Sequence, residues 1–244
     1  MQQATQVDIH VGDRAPSAGG RSKAGDLSSR AAGWGALTFA IVVIAQNVIR
    51  GASAPGNDAS AAKVLSHYSG DEATSILLAA TYVLSGIGLA VFIGGITRRL
   101  LATSRSGWAI TGLVGAIGIF TVFALVVAAE QALTVAAHMD RPDLGAMQAL
   151  WALHNSIFSV LDLSIALALL GLSRAAVAAG LTPKAFNWLA PVGASLLLIG
   201  TIGGPLIAEG RVTALFGAAG VGFVIWLAFL VVTGVRLVRA AEPG

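Results

Sequence analysis

Cysteine is absent from the chain, and charged residues make up only 11% of it. The lack of cysteine excludes disulfides, thiolate metal sites and cysteine nucleophiles. With 56% hydrophobic residues and a mean hydropathy of +0.80, the composition lies far outside that of a soluble domain. The sequence therefore predicts an integral membrane protein.

Sequence motifs of catalysis and nucleotide binding are lacking as well. There is no Walker loop, no dinucleotide fingerprint and no GxSxG elbow. No apolar run contains a lysine for a retinal-type Schiff base, and paired histidines for haem are missing. The basic residues form no patterned surface beyond the helix flanks, which argues against nucleic acid as a partner. The residues favour a protein that is not an enzyme and has no cofactor.

Six apolar runs have the length of about 20 residues that a helix needs to cross a bilayer. Helices are expected because unpaired backbone groups are not tolerated in lipid, and the alternation of a barrel strand is missing. We predict an all-α, polytopic bundle of six transmembrane helices within residues 30–239, embedded in a lipid bilayer. The predicted spans are 31–49, 74–96, 108–129, 150–172, 186–208 and 212–235.

The segments outside these runs predict a tail and one further helix. Residues 1–29 mix glycine, serine and charged residues without apolar periodicity, so we expect a disordered tail rather than a signal peptide. After the first run, the turn signal PGND precedes apolar residues at helical spacing, which predicts a short surface helix at about 58–69 on the outer side.

Lysines and arginines are unevenly distributed between the two sides of the predicted bundle. They are concentrated in the tail and after the second, fourth and sixth runs, and they are scarce after the first, third and fifth. Because positively charged loops stay in the cytoplasm, both the N- and C-termini are expected to be cytoplasmic.

Asp162 lies at the middle of the fourth run. A charged side chain at the centre of a membrane helix costs about 2.5 to 3.5 kcal/mol on insertion scales, so it is expected to face protein or water. No lysine or arginine lies inside any run, and we therefore expect this carboxyl group to carry a proton unless water reaches it. Two interpretations remain open, a neutral carboxylic acid that joins helices and a group that handles a proton or a ligand.

Further polar residues accompany Asp162 at helical spacing and predict one inward-facing stripe on the fourth helix. Gln46 and Asn47 near the end of the first run are candidate partners of this stripe. Together these residues are the candidate ligand or proton site: Asp162, Asn155, Ser159, Gln148, Asn47 and Gln46.

Small residues recur at the four-residue spacing that allows close helix packing. Examples are Gly86, Ala90 and Gly94 in the second run, and the pairs Thr111/Gly115 and Gly112/Ala116 in the third. Such faces are also compatible with a homo-oligomer or a membrane partner. In the fifth run, Gly203-Gly204-Pro205 predicts a kink or break. This break is interpreted either as packing or as a discontinuous helix that exposes backbone groups to a ligand.

His67, His138 and His154 fall on the predicted outer side together with Glu130. Three imidazoles, or two with a carboxylate, could bind zinc, but no close-spaced pair such as HxxxH is present. The favoured interpretation is that these histidines are solvated or interfacial and that Glu130 is exposed to water at a helix end.

Three segments carry a family resemblance: NDASAAKVLSHYSG after the first run, GGITRRL after the second, and FNWLAPVGASLLLIG at the start of the fifth. They resemble an uncharacterised family of six-pass bacterial, mainly actinobacterial, integral membrane proteins of the domain-of-unknown-function type. The resemblance implies the six-pass topology and a location in the bacterial plasma membrane. It brings no established activity or catalytic residue.

Three functional hypotheses follow from these residues. The first is a non-enzymatic membrane protein that binds a small or lipidic ligand, or a partner helix, near Asp162. The second is a proton-coupled transporter that uses Asp162 and the Gly-Gly-Pro interruption. The third is an outward-facing, metal-dependent membrane hydrolase that uses the three histidines.

Overall fold

The computed structural model describes residues 22–70, 72–208 and 213–240, and in these residues the chain is helical without any β-strand. The all-α prediction is confirmed. Five helices are long and apolar enough to cross a membrane, and a sixth is shorter, with 17 residues. The helices are α1 (Ser22–Ser53), α2 (Ala61–Gly70), α3 (Glu72–Leu101), α4 (Ser106–Ala137), α5 (Leu144–Ala178), α6 (Phe186–Ile202), α7 (Gly204–Ala208) and α8 (Thr213–Arg239).

The helix bounds differ from the sequence prediction at the N-terminus. Helix α1 begins at Ser22, so residues 22–29, which we assigned to the tail, lie in a helix. The rest of the predicted tail, residues 1–21, lies outside the described residues, as do residues 209–212 before α8.

The interruption predicted at Gly203-Gly204-Pro205 is present, because α6 ends at Ile202 and α7 begins at Gly204. The N–H of Gly203 still donates to the carbonyl of Ile199 at 2.9 Å and closes the last turn of α6. Pro205 has no N–H to donate and is tolerated in the first turn of the new helix α7, where intrahelical partners are missing in any case.

The five long helices and α6 form a ring in which each packs against the next, in the order α1, α3, α4, α5, α6, α8 and back to α1. Short connections between antiparallel neighbours explain most of this order. Helix α2 lies against α4 and α5, where Val64 and Tyr68 pack with Leu133 and Trp151. We refer to this end of the bundle, where α1 and α4 end and α5 begins, as the α2 end.

Glycines allow the closest helix contacts. A Cβ added at Gly115 of α4 would touch the backbone nitrogen of Ala168 in α5, and one at Gly171 would touch the nitrogen of Gly112. The packing face predicted on the third run is therefore confirmed. Gly94, predicted to pack in the same way, has open space within 4 Å of an added Cβ, so that part of the prediction is wrong.

Candidate ligand-binding cavity

A cavity of about 550 Å³ lies inside the ring, between α1, α4, α5 and α8. Its size falls in the range of about 300 to 1,000 Å³ that is usual for small-molecule sites. Residues 54–57 and Ile207 of α7 border it at the α2 end. Most of its wall is apolar, and seven aromatic side chains line it: Phe39, Phe123, Trp151, Phe158, Phe216, Phe223 and Trp226.

The polar stripe predicted on α5 reaches this cavity with three of its four residues, since Asn155, Ser159 and Asp162 line the wall. The fourth, Gln148, is exposed and does not line the cavity, because it lies only one turn from the start of α5 at Leu144. The inward orientation of the stripe thus holds from the third turn of α5 onward.

The two candidate partners on α1 are separated by the structure. Asn47 lines the cavity, and its amide nitrogen donates to the carbonyl of Val43 in the same helix at 2.9 Å. Gln46 faces the other way, is fully buried, and donates to the hydroxyl of Thr81 in α3 at 2.9 Å. Gln46 therefore joins α1 to α3 and takes no part in the cavity, because adjacent residues on a helix point in directions about 100° apart.

Asp162 is partly buried and lies against α6. A Cβ added at Gly200 would lie 2.9 Å from its Oδ2 atom, so the side chain occupies space that a larger residue at Gly200 would fill. Among the described residues, Asp162 has no hydrogen-bond donor and no ion-pair partner. Within the described part of the chain, one carboxyl group of the cavity wall thus has no protein partner.

Three ionisable side chains from three helices meet near the α2 end. Arg50 of α1 donates to both carboxylate oxygens of Glu130 in α4, from Nε at 2.8 Å and from Nη2 at 3.0 Å. Nε2 of His154 in α5 lies 3.4 Å from Oε1 of the same carboxylate. The Arg50 guanidinium also lies over the ring of Phe123, 5.7 Å from its centroid. We call Arg50, Glu130 and His154 the ionic cluster.

The expectation that Glu130 and His154 are exposed to water is wrong, since each is 5% exposed. Buried charges need partners, and the bidentate arginine supplies one for the glutamate. The sequence held a signal for this cluster: Arg50 and Glu130 follow directly after the first and third runs, and His154 lies near the start of the fourth. These three positions share one level of the bundle.

Hydrogen bonds continue from the ionic cluster across the α2 end of the cavity. Nδ1 of His154 lies 3.2 Å from Oδ1 of Asn155, whose amide donates to the carbonyl of Asn57 at 3.4 Å. The amide of Asn57 donates in turn to the carbonyl of Ile207 in α7 at 3.2 Å. These contacts join α5, the segment before α2, and α7.

Aromatic side chains surround the same region. Trp151 stacks on His154 with ring centroids 4.9 Å apart, and its Nε1 donates to the carbonyl of Gly56 at 3.3 Å. Tyr68 of α2 packs edge-on against Trp151. Burial raises the pKa of Tyr68, the charge of Glu130 raises it further, and Arg50 acts in the opposite direction.

The exposed residues of the cavity wall all lie on α1, on α8 and in the segment that follows α1. Asn47 of α1 and Gly220 of α8 are exposed, and Phe216 is 64% exposed. Asn47 and Gly220 each lie fourteen residues, or about 21 Å along the helix, from the close contact of Gly33 with Gly234 that joins α1 to α8. The cavity therefore opens sideways between α1 and α8, on the surface that faces lipid in a bilayer.

The three histidines of the metal hypothesis do not come together as one site. His154 belongs to the ionic cluster, His138 is bonded through Nδ1 to the carbonyl of Thr134 at 2.8 Å, and His67 packs edge-on against Tyr68. In the part of the chain that the structure describes, no three side chains of His, Cys, Asp or Glu come together as metal ligands would.

Comparisons with protein-family models, with curated proteins and with solved structures find no match to this chain.

Proposed function

We propose that the chain is a non-enzymatic membrane protein that binds a small amphiphilic ligand in the cavity between α1, α4, α5 and α8. The observation that carries the proposal is the wall itself, which joins a large aromatic surface to a few polar groups, as in small-molecule sites generally. The sideways opening supports a ligand that partitions into the bilayer. The ionic cluster, which holds three helices together beside the cavity, supports a preformed site.

Binding can be tested with n-decanol, an uncharged single-chain amphiphile, on protein in lipid nanodiscs. Gly220 borders the opening, and a Cβ added there meets no atom within 4 Å, so Gly220→Trp should obstruct the cavity without disturbing the fold. Gly217 lies three residues away in α8, is equally open, and does not line the cavity, which makes Gly217→Trp a matched control.

We expect native mass spectrometry to show saturable binding of n-decanol to the wild type and to Gly217→Trp. Binding to Gly220→Trp should be weaker by about tenfold, which is a loss of about 1.4 kcal/mol. Equal binding to both variants would place the decanol elsewhere on the protein, and no saturable binding to the wild type would refute the proposal.

The orientation forms part of the proposal. We propose that both termini face the cytoplasm of a bacterial plasma membrane and that the α2 end faces outward, on the distribution of lysine and arginine. Because the chain has no cysteine, single cysteines can report the sides. An impermeant maleimide should label Ser60→Cys in intact cells and should leave Ser104→Cys unlabelled, whereas the reverse pattern would invert the topology.

A proton-coupled transporter is the second candidate, and the break between α6 and α7 favours it. The break lies beside the cavity wall, since a Cβ at Gly204 would lie 2.5 Å from the hydroxyl of Ser159. Discontinuous helices at a central site are typical of transporters. In proteoliposomes, a pH gradient should then accelerate solute uptake by the wild type more than by Asp162→Asn. Uptake that is independent of the gradient for every solute would contradict this candidate.

A further inference from the structure

We propose that the ligand is a cationic amphiphile whose ammonium group binds the carboxyl group of Asp162, an inference that rests on the proposed function of the cavity. Two observations of the cavity wall carry it, the distribution of charge and the depth of Asp162.

The charges that line the cavity are unequally paired. Arg50 is the single lysine or arginine among the described lining residues, and both of its hydrogen bonds to Glu130 are short. Asp162 has no such partner within the described residues. Among its described residues, the wall therefore offers no free lysine or arginine to an anionic ligand, but it offers a carboxyl group to a cationic one. An ammonium group would supply both the opposite charge and the hydrogen-bond donors that the carboxylate lacks.

The position of Asp162 sets the shape of the ligand. It lies eight residues beyond His154 along α5, or about 12 Å deeper than the ionic cluster. Phe158 and Leu161 on α5 give the wall between these levels an apolar surface, which the polar side chains of Asn155 and Ser159 interrupt. A ligand with its ammonium group at Asp162 would therefore lay its hydrocarbon chain along this wall and toward the opening between α1 and α8.

The contacts of Asp162 with the fold leave its carboxyl group available. On α6 it lies against Gly200, which has no side chain to donate a hydrogen bond. Ser159 and Asn155, which also line the cavity, lie about one and two turns nearer to the α2 end, respectively. Asn155 donates to the carbonyl of Asn57.

The test compares three ten-carbon probes that differ only in the head group: n-decylamine, n-decanol and n-decanoate. Each is titrated onto the wild-type protein in nanodiscs of zwitterionic lipid at the same concentration in the lipid phase. We expect decylamine to bind about tenfold more tightly than decanol, equivalent to about 1.4 kcal/mol, and decanoate to bind least.

Two variants separate a specific ion pair from a general effect of charge. Asp162→Asn should abolish the preference for decylamine over decanol. Asp140→Asn removes the same charge from an exposed residue that does not line the cavity, so it should keep the preference. Asp162→Glu retains the carboxylate and should keep most of the preference, so that a loss caused by misfolding can be recognised.

The outcomes distinguish this inference from the proposed function. If the wild type binds decanol and decylamine equally, or if Asp162→Asn keeps the preference, the inference is overturned while binding in the cavity stands. A preference for decanoate would also overturn it and would indicate that Arg50 is the anchor. If none of the three probes binds saturably, both the inference and the proposed function fail.

Discussion

The ion pair between Arg50 and Glu130 should couple strongly in the free energy of unfolding. Its two hydrogen bonds, at 2.8 and 3.0 Å, join α1 to α4, and the two side chains are 11% and 7% exposed. Removing one partner of a buried pair leaves an uncompensated charge and costs about 3 to 5 kcal/mol. We expect Arg50→Met and Glu130→Met each to destabilise the protein by this amount.

The double variant should lose less than the sum of the single variants. Replacement of a buried ion pair by apolar residues of similar volume is often neutral, so we expect Arg50→Met/Glu130→Met to be destabilised by less than about 3 kcal/mol. The coupling energy of the cycle is then at least about 3 kcal/mol. Reversible unfolding in mixed micelles with a denaturing detergent, followed by circular dichroism, measures all four free energies.

An exposed arginine provides the control for this cycle. Arg98 lies in the last turn of α3 and is exposed, so Arg98→Met should change the stability by less than about 0.5 kcal/mol. If the single variants at Arg50 and Glu130 behave like this control, or if their effects are additive, the buried ion pair does not stabilise the bundle and the reasoning is refuted.

Three further predictions concern packing, a hydrogen bond and titration. Gly115→Ala should lower the free energy of unfolding by about 1 to 3 kcal/mol, because the added Cβ would meet α5. Gly94→Ala, with open space around the added Cβ, should be neutral or stabilising, and equal effects of the two variants would contradict the α4–α5 contact. Trp151→Phe should cost about 1 kcal/mol through the lost bond to Gly56, and Trp188→Phe, whose ring is 81% exposed, should cost less than about 0.5 kcal/mol. Burial raises the pKa of Tyr68 above the value of about 10 in unfolded chains, so the free energy of unfolding should fall as the pH rises above about 10. If the free energy of unfolding of Tyr68→Phe falls with pH as steeply as that of the wild type, this prediction is contradicted.

The helical class and the membrane character could be predicted because they depend on local composition. Apolar runs of about 20 residues are visible in the sequence, and so is the glycine and proline signal that separates α6 from α7. The inward orientation of Asn155, Ser159 and Asp162 could also be predicted, because it depends on helical spacing alone.

The partners of the polar residues could not be predicted in the same way. Gln46 and Asn47 are adjacent in sequence. Only the packing of α1 against α3 decides that Gln46 donates a hydrogen bond to Thr81 and that Asn47 reaches the cavity. The pairing of Arg50 with Glu130 joins residues 80 positions apart. It requires the ring order of the helices, which hydropathy does not contain.

The central claim, that a ligand-accessible cavity borders α5, is tested most directly by single cysteines in this cysteine-free chain. Ser159 lines the cavity. Ser164 is 8% exposed, and its hydroxyl lies 2.6 Å from the position of a Cβ added to Gly118, within the α4–α5 contact. We predict that N-ethylmaleimide alkylates Ser159→Cys, that n-decanol slows this reaction, and that Ser164→Cys stays unmodified. The account would be contradicted if Ser159→Cys reacted no faster with N-ethylmaleimide than Ser164→Cys, or if n-decanol did not slow the alkylation of Ser159→Cys.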